Sequence, residues 1–285
     1  MKLLISDIYT LLLNRFGPQG WWPLTPDGKI YPIHHPSNTT KKLTNRDRTE
    51  IIIGAILTQN TAWTNVEKAL AQLNTHNLMN VEKIASCTHA VLAPKIRSAG
   101  YFNQKAKHLK LLATYLVKKY NGRLDELEKK QLPELRRELL GLKGIGPETA
   151  DSILLYAFGK PSFVVDAYTR RIFERIGIIK SKDIHSKDSY DNVQELFHKH
   201  LIPDIPDSPD IPDSLSVSLN PPPLSKIVIS KTVLSKTVLI FKEYHALIVE
   251  LAKRNCRKVP DCRSCPLRTT CKTGIAKVGE AEVFI

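Results

Sequence analysis

Apolar residues recur along most of this chain at intervals of three and four. From Asn103 to Tyr120, Ala106, Leu109, Ala113, Leu116 and Tyr120 fall on one face, with lysines opposite. That is the pattern of an amphipathic helix. The segments Leu132 to Leu140 and Glu148 to Phe158 follow the same period. Near the start, Leu4, Ile8, Leu11 and Leu12 share a helical face. Asp7 interrupts what would otherwise resemble the apolar stretch of a signal peptide, and no small-residue cleavage site follows. An amphipathic helix in a protein that is not secreted is therefore expected. Phe163 to Val165 is apolar but too short to imply a sheet. The pattern as a whole predicts an all-α fold.

One segment breaks the pattern. From Ile202 to about Ser235 the chain repeats Ile-Pro-Asp and Ser-Pro-Asp triplets, then Pro221 to Pro223, then Ser230 to Leu234 echoed by Ser235 to Leu239. Dense proline blocks helix formation, and the short repeats lack a core-forming period. A disordered insertion over 202–235 is expected.

Charge adds a partner class. The 285 residues carry a formal net charge of +14. A surplus of that size favours a polyanion, because each neutralised phosphate releases condensed counterions. A basic protein with no nucleic-acid role has the same balance, so charge alone does not decide. No apolar run approaches the ~20 residues needed to cross a bilayer, and no membrane partner is expected.

The stretch from Leu139 to Arg171 carries most of the chemistry. Leu142-Lys143-Gly144-Ile145-Gly146 lies between two helical segments, and Pro147 opens the second. Glycines one residue apart permit a sharp turn. They also leave backbone N–H groups uncovered at a helix N-terminus, where a phosphate oxygen fits. An ordinary turn between helices has the same signature. Downstream, Asp166 precedes Ala167-Tyr168-Thr169-Arg170-Arg171, a good helix N-cap.

Leu142, Gly144, Ile145, Gly146, Thr149 and Ala150, followed by Val164-Val165-Asp166, resemble the helix-hairpin-helix and aspartate of endonuclease III-type DNA glycosylases. The resemblance covers nearly the whole chain outside the insertion. It implies two helical lobes: a six-helix barrel over 44–160 with its hairpin at 142–147, and a second lobe joining 1–43 to 161–285. It implies base excision from double-stranded DNA by a monomer, cytoplasmic and associated with the nucleoid. Asp166 takes the role of catalytic carboxylate, where a fixed negative charge stabilises the oxocarbenium-like transition state. Lys143, Gly144, Ile145, Gly146 and Thr149 become DNA-binding positions.

Glu148 stands eighteen residues before Asp166, where bifunctional members of the family carry a Schiff-base lysine. A carboxylate cannot form an imine, so a monofunctional glycosylase is expected. Ile56 to Thr61 resembles the family's wedge, with Gln59 or Asn60 placed to bond the partner of an extruded base; a polar helix end looks the same. Trp21-Trp22 reads either as core packing or as a stacking pocket for a cationic, alkylated base. Together with Gly100 to Lys107, it is similar to the 3-methyladenine glycosylase branch. Alkylated purines are the expected substrate. The alternatives are a bifunctional endonuclease III-like lyase on oxidised pyrimidines and a non-catalytic DNA-binding iron–sulfur protein. An adenine-mismatch enzyme is disfavoured, since Ala55 occupies about the place of that branch's acidic residue.

Of five cysteines, Cys87 stands alone and is expected as a buried spectator. Cys256, Cys262, Cys265 and Cys271 form one C-x-x-C pair with an outlier on each side. Zinc modules usually present two close pairs, so a [4Fe–4S] cluster is favoured, with zinc the lesser alternative. The resemblance supports the cluster, although the first gap is one residue shorter than the family's. Lys253, Arg254, Arg257, Lys258, Arg263, Arg268 and Lys272 surround these thiols. Arg257, Lys258 and Arg263 are expected to meet phosphates; compensation of four thiolates would also account for the charge.

Overall fold

A computed structural model describes residues 4–35, 42–180, 189–202 and 231–282, with the side chains of the last stretch from 232 to 277. The described residues are helical and joined by loops, with an isolated antiparallel bridge between Leu24 and Ile33. None of their helices is long and apolar enough to cross a membrane.

The all-α expectation holds. The first half contains α1 (Ile5–Phe16), α2 (Asn45–Leu57), α3 (Trp63–Thr75), α4 (Val81–Ser86), α5 (His89–Lys95) and α6 (Phe102–Tyr120). The second contains α7 (Asp125–Lys129), α8 (Leu132–Leu140), α9 (Pro147–Ser152), α10 (Ala167–Ile176), α11 (Ser189–Leu201), α12 (Lys231–Arg254) and α13 (Lys272–Glu282). Asp7, the charge that interrupts the first apolar run, accepts from the Leu4 N–H at 3.0 Å and so starts α1. The buried face of α1 is Ile5, Ile8 and Leu12, whereas Leu4 and Leu11 are exposed. That face departs from the expected one because α1 packs against α11 and α12.

Helix α2 is buried along almost its whole length and apolar on every side from Ile51 to Leu57, as a central helix must be. Helices α3, α6 and α9 pack around it, while α4 and α5 cover α6. The expected α6 face is buried at every position from Ala106 to Tyr120. A second group gathers on α12, where α1, α10 and α11 pack, with α13 against α10. Contacts between α12 and the turn after α9 join the two groups.

That turn is a difference from expectation. The segment from Glu148 is not one regular helix; α9 gives way to a π-helical turn over Ile153–Ala157, whose five residues are all buried. A second difference concerns the insertion. Residues 203–230 lie outside the described residues, but α12 already begins at Lys231, inside the expected disordered range. The repeated Ser-Lys-Thr-Val-Leu units supply apolar positions that continue into Val238 and Phe241, which are buried.

Phe163 to Val165 forms no strand, yet it is fully buried and extended. Side chains of α11 replace the missing neighbour. His198 Nε2 accepts from the Phe163 N–H at 3.0 Å, Tyr190 Oη accepts from the Val165 N–H at 3.3 Å, and Gln194 Nε2 donates to the Phe163 carbonyl at 2.6 Å. Burial pushes the His198 imidazole down to about 4, which keeps it neutral and able to accept. Buried Asp151 of α9 takes two bonds from Arg136 at 2.9 and 3.1 Å and one from Gln194 at 2.9 Å. This connector leads directly into Asp166.

Candidate active site

Asp166 caps α10. Its Oδ1 accepts from the Thr169 N–H at 2.7 Å and the Thr169 hydroxyl at 2.8 Å. Its Oδ2 lies 3.7 Å from His245 Nε2, too far for a good hydrogen bond but close for a charge pair. Burial raises the carboxyl, but His245 and the Thr169 donors outweigh it and hold Asp166 below the ordinary carboxylate range. The cap therefore engages one oxygen and leaves the other beside His245.

Glu148 opens α9 nearby, where its tip is exposed but its surroundings are crowded. That crowding, and then the charge of Asp166, push its carboxyl up to about 7, against the pull of His245 and Arg170. Two carboxyls with separated titrations share the site, a division that suits acid–base work.

The hairpin stands beside them. Gly144 has φ +91°, and a Cβ on it would meet the His108 ring at 2.3 Å. Gly146 is different: it is extended and caps α9, and nothing lies within 4 Å of the place a Cβ would take. Its openness leaves the backbone approachable. Lys143 and Gly146 are exposed, whereas Ile145 and Thr149 are buried. Gln59 joins the wedge to the hairpin, its Nε2 donating to the Gly144 carbonyl at 3.0 Å and to Thr149 Oγ1 at 2.9 Å. Asn60, the other residue expected in the wedge, is exposed and has φ +51°. Lys105 braces the turn beneath, donating to the Leu57 carbonyl, Thr61 Oγ1 and the Ala99 carbonyl at 2.7–2.8 Å.

Trp21 and Trp22 line a cavity of about 290 Å³ together with Thr25, Leu43, Tyr156 and Lys242. Both indoles also pack. Trp63 meets Trp21 edge-on at 4.6 Å and Trp22 at 5.6 Å, and Trp22 lies 5.3 Å from Tyr156. Packing and pocket are thus the same arrangement. Burial lowers Lys242 to about 8. Tyr156 connects this wall to the carboxylate, since its hydroxyl lies 2.7 Å from His245 Nδ1.

The four clustered cysteines are free and line one small cavity. Arg175 of α10 donates to Cys256 Sγ at 3.3 Å and to the carbonyls of Arg257 and Lys258 at 2.6 and 2.9 Å. Arg171 takes the Cys256 carbonyl in a fork at 2.8 and 3.1 Å. Arg257, Lys258 and Arg263 are exposed at the rim. Burial first, and then the neighbouring thiols, push Cys265 up to about 11. Among the described residues no group of three or more His, Cys, Asp or Glu side chains is arranged to hold a metal ion. Cys87, by contrast, is only half-buried and donates to the Ile84 carbonyl at 3.4 Å.

Several site residues escaped the periodicity. Nothing in the sequence pattern singled out Tyr156, His245, Lys105 or Lys242. For the last two only position carries a signal: each occupies the inward side of its helix.

Comparison with known proteins agrees with this geometry. Residues 53–201 match the family model described as "HhH-GPD superfamily base excision DNA repair protein". A Methanocaldococcus jannaschii protein named as a candidate DNA repair glycosylase is 38% identical over 270 residues, spanning 94% of this chain and 96% of its own. Endonuclease III of Thermotoga maritima is 32% identical over 136 residues, covering 48% of this chain and 60% of that protein. Among solved structures, an H. pylori 3-methyladenine DNA glycosylase bound to 1,N6-ethenoadenine superimposes with a TM-score of 0.55 at 27% identity, over 76% of this chain and 92% of that one. A non-covalent endonuclease III–DNA complex superimposes with a TM-score of 0.63 at 20% identity over 96% of each chain, a likeness of fold. With family, relatives and fold in agreement, the chain belongs to the HhH-GPD superfamily of base excision DNA repair proteins and is a DNA N-glycosylase.

Proposed function

We propose that this glycosylase is monofunctional and removes alkylated purines such as 3-methyladenine from double-stranded DNA. The observation that carries the reading is the carboxyl pair: Asp166 fixed and ionised, with Glu148 instead of an amine at the start of α9. An extruded base enters the cavity beside Trp21 and Trp22. An alkylated purine is cationic, and an indole face attracts it. When its glycosidic bond breaks, the electron pair goes to the base, which leaves neutral and needs no added proton. Asp166 faces the cationic sugar that remains, and water adds to the anomeric carbon and releases its proton. The relative that binds 1,N6-ethenoadenine supports a purine pocket.

On the DNA side, Lys143 and the open backbone around Gly144, Ile145 and Gly146 take phosphates. Thr149 and Gln59 hold that turn from behind, and Asn60 enters the stack. Arg257, Lys258 and Arg263 add a second set of phosphate contacts on the monomer. Cys256, Cys262, Cys265 and Cys271 would hold a [4Fe–4S] cluster, which supplies a rigid cross-link rather than chemistry at the sugar. The lobes in this reading are 44–160, and 1–43 with 161–285; the two groups of helix contacts support that division.

The test is a panel of single-lesion duplexes carrying alkylated purines, oxidised pyrimidines, uracil or mismatched adenine, each with and without alkali. The alkylated purine should be released, with strand breaks only after alkali. Asp166→Asn should bind the lesion duplex normally and release base about a hundredfold to a thousandfold more slowly. A covalent adduct trapped by borohydride would replace this reading with a lyase.

A further inference from the structure

Asp166 has a neighbour that the proposed mechanism does not use. His245 projects from α12, which packs against α10, and is 7% exposed. Its Nε2 is buried, has no hydrogen-bond partner, and lies 3.7 Å from Asp166 Oδ2. That oxygen is the one the helix cap leaves unbound. On its other side the ring meets Tyr156 Oη through Nδ1 at 2.7 Å, and the same hydroxyl donates to the Lys242 carbonyl at 3.2 Å.

These contacts constrain the protons. Nε2 faces a carboxylate, where a lone pair would be repelled and an N–H attracted, so the ring presents Nε2–H to Asp166. Nδ1 shares a hydrogen bond with the Tyr156 hydroxyl, which holds the ring in that orientation. The surrounding charges are Glu148 from α9, Arg170 from α10, and Lys242 and Glu243 from α12, with Glu243 reaching Tyr156.

We infer that His245 is a positioning residue of base excision: its ring, oriented by Tyr156, holds the free oxygen of Asp166 in place and keeps that carboxylate charged inside the protein. The inference rests on Asp166 being the carboxylate of the reaction. It explains why a cap residue so enclosed stays ionised when its helix-cap bonds engage only one oxygen. It also gives the buried Tyr156 hydroxyl a purpose beyond packing, since it fixes the ring that fixes the acid.

The experiment compares the full-length protein with His245→Leu, His245→Gln and Asp166→Asn, using duplex DNA treated with dimethyl sulfate. His245→Leu should bind as wild type yet release methylated adenine about tenfold to a hundredfold more slowly. The acid limb of its pH–rate profile should rise by about one unit, because a carboxylate that loses the ring N–H beside it protonates at higher pH. His245→Gln, which restores an N–H donor, should recover part of the rate. An unchanged acid limb in folded His245→Leu overturns the inference. Should that variant not fold, His245→Gln decides: its acid limb should also rise above wild type, by less than expected for leucine, and an unchanged acid limb in folded His245→Gln overturns the pairing. The two readings fail differently. Full activity in Asp166→Asn removes the carboxylate reading and this one with it. An inactive Asp166→Asn beside an unshifted His245→Leu removes this one alone.

Discussion

The hairpin at 142–147 and the cysteine loop at 255–271 are both exposed and basic at their tips, yet they are held in opposite ways. The hairpin is anchored from within. Ile145 plugs the core, Gly144 supplies a backbone angle that other residues rarely adopt, and Gln59 ties the turn to the wedge. The cysteine loop has little apolar anchorage. Leu267 is buried, but Val259 is 81% exposed. Its order comes from outside, through Arg171 and Arg175 of α10, and through short polar links such as Asn255 to Ser264 and Ser264 to Asp261, each 2.7 Å. Its four thiols line one small cavity. A short turn can be specified by backbone angle and one buried side chain, whereas a longer polar loop draws on bonds from a neighbouring helix and, in the proposed reading, on a metal cross-link. Helix α10 serves both needs, since its first turn holds Asp166 and its last holds the loop; ten residues rise about 15 Å.

The largest effect should follow from removing that cross-link. When the proposed [4Fe–4S] centre is chelated out of the purified protein, or Cys265 is changed to Ser, amide exchange across 255–271 should accelerate about a thousandfold or more. Residues 142–150 should keep their protection. Equal acceleration in both regions would mean that the hairpin depends on the loop and that the contrast is false. Hydrogen-exchange mass spectrometry resolves the two segments. Brown colour and broad visible absorption, lost on chelation, would identify the centre.

Next comes the hairpin's own anchor. Gly144→Ala forces both a disfavoured φ and a collision with the His108 ring. We expect a loss of about 2–4 kcal/mol in urea denaturation, with the cysteine loop's absorption unchanged. A loss under ~0.5 kcal/mol would show that the turn is held by its neighbours rather than by its own backbone.

How far the sequence reaches depends on the kind of signal. The α6 face from Ala106 to Tyr120 was legible because one period governs nineteen positions. The cap at Asp166 and the turn at Gly144 were legible because a helix start and a tight turn each make a narrow stereochemical demand that few residue types meet. His245, Lys105 and Lys242 were not. Each contributes through a partner far away in the chain, and a buried lysine or histidine leaves no mark on helical periodicity. The π turn after α9 and the buried connector at 163–165 escaped for a related reason. Both are settled by what packs on them, namely α2 and α11, rather than by local preference. Gln59 lay between these cases. Its place in the wedge was visible, but its commitment to the Gly144 carbonyl and Thr149 was a tertiary fact.

Gly146→Ala separates fold from binding within the hairpin itself. This residue is extended, at φ −91° and ψ 177°, and a Cβ would meet nothing. Any residue can adopt that backbone, so stability should change by no more than about 0.5 kcal/mol. Yet the added methyl would stand beside the N–H groups that open α9, where a phosphate oxygen must come close. Duplex affinity by fluorescence anisotropy should therefore fall by about tenfold, an effect of ~1.4 kcal/mol. The salt dependence should stay as in wild type, because no charge is lost. Lys143→Ala supplies the contrast, weakening binding while lowering the slope by about one. A Gly146→Ala protein that binds duplex as tightly as wild type would place the phosphate elsewhere, and leave Gly144 as the glycine in this turn with a physical reason to be one.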